Sequence, residues 1–150
     1  MPKVLLVDDD AGVRSAVTRA LQVEGFRVST IGDAAGVPEV VEKQAPDIVL
    51  LDLGLGAASG WDVFEELSRD HPLIPIIIIT ARSAQFEVAK LAGVSAFVEK
   101  PIEIPQLVAT MRQLLAEDAD TRMARLALRS PAPRFVRGRL RGWGFPRSLN

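Results

Sequence analysis

Four apolar runs in this chain end in polar residues of different kinds. Val4-Leu5-Leu6-Val7 ends in Asp8-Asp9-Asp10, and Ile48-Val49-Leu50-Leu51 ends in Asp52. Ile76-Ile77-Ile78-Ile79 ends in Thr80, and Ala96-Phe97-Val98 runs into Glu99-Lys100-Pro101. If these ends meet, three carboxylates crowd together. Two unit charges at about 4 Å repel by on the order of 4 kcal/mol at an effective dielectric of 20. Either some of them hold protons or a hard cation joins them. An all-oxygen carboxylate pocket suits Mg²⁺, which keeps several of its waters. Such an ion would neutralise Asp52 against an incoming phosphoryl group. Lys100 offers a point charge to a phosphate oxygen and Thr80 a hydroxyl donor. Together they describe a carboxylate that accepts a phosphoryl group.

The ends meet only if the runs are neighbouring parallel strands. Apolar runs of this length, rich in β-branched residues, read as strands buried on both faces. Between them lie helical patterns. Asp10 is a candidate N-cap for a helix whose apolar face is Val13, Ala16, Val17, Ala20 and Leu21, with Gly25 at C′. Phe26 to Ile31 alternates, with Phe26, Val28 and Thr30 opposite Arg27 and Ser29, and its charge marks an edge strand. A weak helix with Pro38 as N1 runs to about Lys43. Further helices are expected at Trp61 to Arg69 and at 84–92. A last helix starts near Pro105, with a stripe of Ile104, Leu107, Val108, Met111, Leu114 and Leu115. The expected fold is therefore α/β: a (βα)₅ doubly wound parallel five-stranded sheet. Strand one beside strand three gives the order 2-1-3-4-5, a flavodoxin-like arrangement with its ligand site at the switch point.

The net charge of −1 conceals two unlike parts. Residues 1–121 carry 10 basic and 19 acidic side chains, a net of −9; residues 122–150 carry eight Arg and no acid. We expect one domain at 1–121 and a basic Arg/Gly/Pro-rich tail at 122–150, disordered beyond about 130. No apolar run reaches the roughly 20 residues of a membrane span. Met1-Pro2-Lys3 leads straight into a strand, so no signal peptide is expected, and there is no Cys for disulfides or thiolate metal sites. The expected location is cytoplasmic.

VLLVDDD, PDIVLLDLGL, PIIIITA and FVEKP stand in the order and spacing of the motifs of response-regulator receiver domains, the phosphorylated half of two-component signalling. Residues 3 to about 117 resemble that family. The resemblance implies Asp52 as phosphoacceptor, Asp9 as a direct Mg²⁺ ligand, Asp8 acting mostly through water, and the Gly54 carbonyl as a further ligand. It implies Thr80 and Lys100 on the phosphate, Phe97 as an aromatic switch, and a cis Lys100-Pro101 bond. The donor would be a histidine kinase or a histidine phosphotransfer protein. The signal would leave through the face of residues 84–117, to a downstream protein, from a monomer or a phosphorylation-dependent dimer. No enzyme activity is expected beyond Mg²⁺-dependent self-phosphorylation and self-dephosphorylation. Gly56 stands where the family usually has Pro, which points to a looser loop behind the acceptor.

Two other readings compete. In a phosphatase of the haloacid-dehalogenase type, Asp8 would be the nucleophile and Asp10 the acid/base; Lys100-Pro101-Ile102-Glu103 does not supply the acidic pair that such enzymes place after the lysine. In a truncated transcriptional regulator, the Arg-rich tail, with Phe135, Trp143 and Phe145, would touch nucleic acid. Trp61 is expected to pack at the start of its helix, and His71, the single histidine, to be exposed and inert.

Overall fold

The computed structural model describes residues 1–54, 60–81, 94–128 and 134–137, with 125–128 and 134–137 described by their backbone alone. The expected helix at 84–92 and the loop residue Gly56 lie outside the described residues. Six strands are found among them: β1 (Lys3–Val7), β2 (Arg27–Ile31), β3 (Ile48–Asp52), β4 (Ile76–Thr80), β5 (Ala96–Glu99) and β6 (Arg134–Arg137). The helices described are α1 (Ala11–Val23), α2 (Val37–Gln44), α3 (Gly60–Asp70), α4 (Ile104–Ala116) and α5 (Ala119–Leu128).

All pairings are parallel and the sheet order is β2-β1-β3-β4-β5-β6. The first five follow the order expected from the sequence. Side chains alternate across a strand, so each apolar run serves two cores at once. Leu5, Val7, Val49, Leu51, Ile76, Ile78 and Phe97 face one side, against Val37 and Val41 of α2 and Val63, Phe64 and Leu67 of α3. Val4, Leu6, Ile48, Leu50, Ile77, Ile79 and Val98 face the other, against Val17 and Leu21 of α1 and Leu107, Val108, Met111 and Leu114 of α4. At roughly 1.5–3 kcal/mol per buried aliphatic side chain, this two-sided burial is what holds the apolar runs of β1, β3 and β4 in the centre. The chain leaves β1 toward β2 on one side and toward β3 on the other. The carboxyl ends of β1 and β3 therefore border a crevice.

Local chemistry sets the helix ends. The Asp10 carboxylate accepts from Gly12 N at 2.8 Å and Val13 N at 3.1 Å, capping α1. Gly25, just past the end of α1, sits at φ +95°, a conformation that glycine takes without strain. Pro38 lies in the first turn of α2 as expected, although the helix opens one residue earlier, at Val37.

Several expectations need correction. Ala16, counted in the apolar face of α1, is exposed, and so is Thr30 in β2. His71 is half-buried rather than exposed, with Nε2 3.7 Å from Glu42 Oε1. The change of charge at residue 122 falls inside α5 (Ala119–Leu128). Arg122 donates to the carbonyls of Leu73 (2.6 Å), Leu114 (2.9 Å) and Glu117 (3.2 Å), taking up acceptors that the end of α4 leaves open. Further on, residues 134–137 were expected to be disordered. They instead form β6 and pair with β5, with Ala96 opposite Arg134 and Glu99 opposite Arg137. The sheet thus has a sixth strand beyond the five expected.

Candidate functional site

The parallel ladder runs one residue past several strands, and this places the site. Asp8 N donates to Ile31 O (3.1 Å), Leu53 N to Ile79 O (3.1 Å) and Lys100 N to Thr80 O (2.8 Å). Asp8, Asp52, Thr80 and Lys100 are thereby held at the same sheet edge by main-chain bonds between neighbouring strands, made by these residues or, for Asp52, by the residue after it. The Lys100-Pro101 bond is cis, as the resemblance implied.

Asp8 is fully buried, Asp52 and Thr80 nearly so, and Asp9 is exposed. One carboxylate oxygen from each of Asp8, Asp9 and Asp52 lies within 4.8 Å of the others. Lys100 Nζ bridges two of them, 3.4 Å from Asp8 Oδ2 and 3.5 Å from Asp52 Oδ2. The remaining oxygens are met by backbone: Asp10 N donates to Asp8 Oδ1 (2.9 Å) and Gly54 N to Asp52 Oδ1 (3.1 Å). A cleft of about 410 Å³ opens over these groups, lined by Asp9, Asp10, Asp52, Leu53, Gly54, Thr80, Ala81 and Lys100.

Burial pushes the Asp8 carboxyl above its ordinary pKa, and the Asp52 charge adds to this. The Asp10 N–H and the Lys100 ammonium work against it and lose. Burial also works on Lys100, downward, but the Asp52 and Asp8 charges and their hydrogen bonds prevail and hold its pKa above normal. An isolated ion pair would lower the acid and raise the base. Here both rise, because one half-exposed ammonium is shared between two carboxylates of which Asp8 has no access to water. The site is thus short of positive charge. Three carboxylates within reach of one another, with an all-oxygen donor set, fit a hard divalent cation.

The six residues singled out from the sequence, Asp8, Asp9, Asp52, Gly54, Thr80 and Lys100, come together here. Phe97 lies fully buried in β5 on the α3 side of the sheet. Trp61 packs edge-to-face on Phe64 with ring centroids 5.9 Å apart. Sequence reasoning missed Arg14, whose guanidinium donates to the Asp8 carbonyl at 2.6 Å. Its signal was available: a cation one turn into the helix that follows the acids. The geometry also bears on the phosphatase reading. Asp8 is fully buried and does not line the cleft, whereas Asp52 does.

Among the described residues no helix is long and apolar enough to cross a membrane. Residues 4–112 match the family model of the response regulator receiver domain. The chain is 35% identical over 116 residues to a probable transcriptional regulatory protein, TcrX, of Mycobacterium tuberculosis, covering 75% of this chain and 49% of that one. It is likewise 35% identical over 116 residues to the transcriptional regulatory protein CreB of Escherichia coli, covering 75% and 50%. The chain thus spans about half the length of the curated relatives it matches. Among solved structures, the receiver domain of NtrX from Brucella abortus superposes with a TM-score of 0.72 at 27% identity, covering 77% of this chain and 99% of that one. These relatives favour a signalling domain over a phosphatase. With the acids, the lysine and the sheet order all in place, this chain belongs to the response regulator receiver domain family, the phosphoacceptor switches of two-component signalling.

Proposed function

We propose that Asp52 is the phosphoacceptor of this receiver domain and that a histidine kinase or histidine phosphotransfer protein supplies the phosphoryl group. One observation carries the reading: Asp52 stands at the end of β3, facing a cleft, with Lys100 Nζ 3.5 Å from its Oδ2. A carboxylate oxygen of Asp52 forms the new bond to phosphorus as the phosphorus–nitrogen bond of the donor breaks. The electron pair leaves with the donor imidazole, which takes up a proton. Lys100 then turns from the carboxylates to a phosphoryl oxygen, and the Thr80 hydroxyl donates to another. Mg²⁺, when bound, supplies charge neutralisation for the carboxylates and the phosphoryl oxygens. The carboxylates of Asp8, Asp9 and Asp52 and the carbonyl of Gly54 would hold it.

In this reading the protein acts in the cytoplasm. Thr80, drawn to the phosphoryl group, frees space beside Phe97 in β5. The change is read on the face made by residues 84–117 by a downstream protein, as a monomer or a phosphorylation-dependent dimer. A small phosphodonor can replace the kinase, and water can attack the acyl phosphate, which gives slow self-phosphorylation and self-dephosphorylation.

Incubation with a small acyl phosphate and Mg²⁺, followed by intact mass, tests this. One phosphoryl adduct is expected on the folded protein and none on Asp52→Asn. A wild-type chain that stays unmodified, or an Asn variant modified equally, removes Asp52 from the role.

A further inference from the structure

Arg14 is not among the residues that line the cleft, yet it holds the backbone from which two of the acids project. Its Nη1 donates to the Asp8 carbonyl at 2.6 Å. That carbonyl belongs to the planar peptide whose N–H is that of Asp9. The opposite side of the same residue is fixed as well, since Asp8 N donates to Ile31 O. Arg14 is itself anchored in the first turn of α1, where its N–H donates to Asp10 O at 3.0 Å. The guanidinium thus ties the end of β1 to α1.

The seat for this guanidinium is Gly32, just after β2. A Cβ built on Gly32 would fall 2.7 Å from Arg14 Nη1 and 3.2 Å from its Cζ. The backbone of Gly32 is not in the left-handed region, so the missing side chain serves space rather than conformation. Asp9 is exposed, so its direction is set by the peptide behind it rather than by packing.

We infer that Arg14, seated on Gly32, is a positioning residue that aims Asp9 by fixing the Asp8–Asp9 peptide, and that this tunes the affinity of the acidic cleft for a divalent cation. The inference rests on the metal-binding reading proposed above. Position and charge make opposite forecasts. Removing a nearby positive charge should by itself tighten cation binding, whereas losing the clamp should weaken it.

The test is titration of the full chain with Mg²⁺, followed by the rise in thermal midpoint, for wild type, Arg14→Met, Gly32→Ala and the double variant. Loss of a partner that orients a metal ligand typically weakens affinity about tenfold or more, and that loss is expected in Arg14→Met. Gly32→Ala should show it too, with a metal-free midpoint close to wild type, because only the end of a flexible side chain must give way. The double variant should be no weaker than either single one, since both break the same contact. Unchanged or tighter Mg²⁺ binding in Gly32→Ala overturns the inference while leaving the site reading intact. A wild-type chain whose midpoint does not respond to Mg²⁺ overturns both.

Discussion

Gly60 opens α3 directly against the strand end that carries Asp52. A Cβ at this position would lie 2.7 Å from Leu53 Cα, 3.1 Å from the Asp52 carbonyl oxygen and 3.1 Å from Leu53 Cδ2. Ordinary contact begins at 3.4 Å, so about 0.7 Å must be found against main chain. In an open helix, Ala is favoured over Gly by up to ~1 kcal/mol. Overpacking a tight site costs ~1–3 kcal/mol, and the obstacle here is the backbone of two residues that are themselves locked into the sheet by the Leu53 N to Ile79 O bond. The upper part of that range applies, and Gly60→Ala should destabilise by about 1–2 kcal/mol net. With a urea slope of ~2 kcal/mol/M, the midpoint should fall by roughly 0.5–1 M. If the helix moves, the Asp52 backbone moves with it, so the yield of phosphoryl adduct from a small donor should fall as well. A midpoint equal to or above wild type would show that α3 does not lean on the strand end, and the steric argument would fail.

Other expectations follow from the same geometry. Ile78→Ala, in the centre of β4 with no exposure, should cost ~2–5 kcal/mol in urea unfolding; a loss under 1 kcal/mol would mean that the core closes over the gap. Because burial raises the Asp8 pKa in the folded state, the native protein holds a proton that the unfolded chain has released once pH exceeds about 3.8. Stability therefore falls as pH rises from there through the folded pKa. Asp8→Asn escapes this loss, so without divalent cation its advantage over wild type should grow across that window and then level off; a pH-independent difference would refute the assignment. Asp118 goes the other way. Its pKa is lowered by the Thr121 N–H first, then the Thr121 hydroxyl and the Arg122 charge. Its contribution to α5 is present above 3.8 and lost as pH falls through the lower folded value. Asp118→Ala should reduce the helical circular dichroism signal at neutral pH and match wild type in acid.

The central strands were legible in the sequence because a fully buried parallel strand has no polar residue to spare. Ile76 to Ile79 cannot be anything solvated, and the residue that ends such a run must lie at the sheet edge. The site followed from that, since Asp8, Asp52 and Thr80 are the first polar groups after their runs and Lys100 is the second after its own. Exposure at the rim was harder. Thr30 and His71 each depend on what lies across from them, a fact of tertiary packing that neither period nor composition contains. Arg14 and Arg122 entered the sequence reading only through the net charge, yet both spend their guanidinium on carbonyls: Asp8 in one case, Leu73 and Leu114 in the other. Charge tallies record sign and not partner. β6 escaped for a related reason. Four residues make a strand only by lying against an edge that already exists, and Arg-Phe-Val-Arg amid Pro and Gly looks like linker until that edge is known.

The presence of β6 changes what a shortened version of this protein would be. With it, β5 is an interior strand, its backbone paired with β4 on one flank and with β6 on the other. A chain cut at 121, where the composition suggests a clean boundary, would shed Arg122 and leave the end of α4 without its donor. It would also turn the outer flank of β5 into a bare row of N–H and C=O groups, the kind of ribbon on which other chains assemble. That ribbon borders Lys100, so a truncated fragment would bring a self-association tendency next to the phosphorylation cleft. Anyone trimming the gene for crystals or for a fusion would then be measuring the manners of an exposed edge rather than those of the switch.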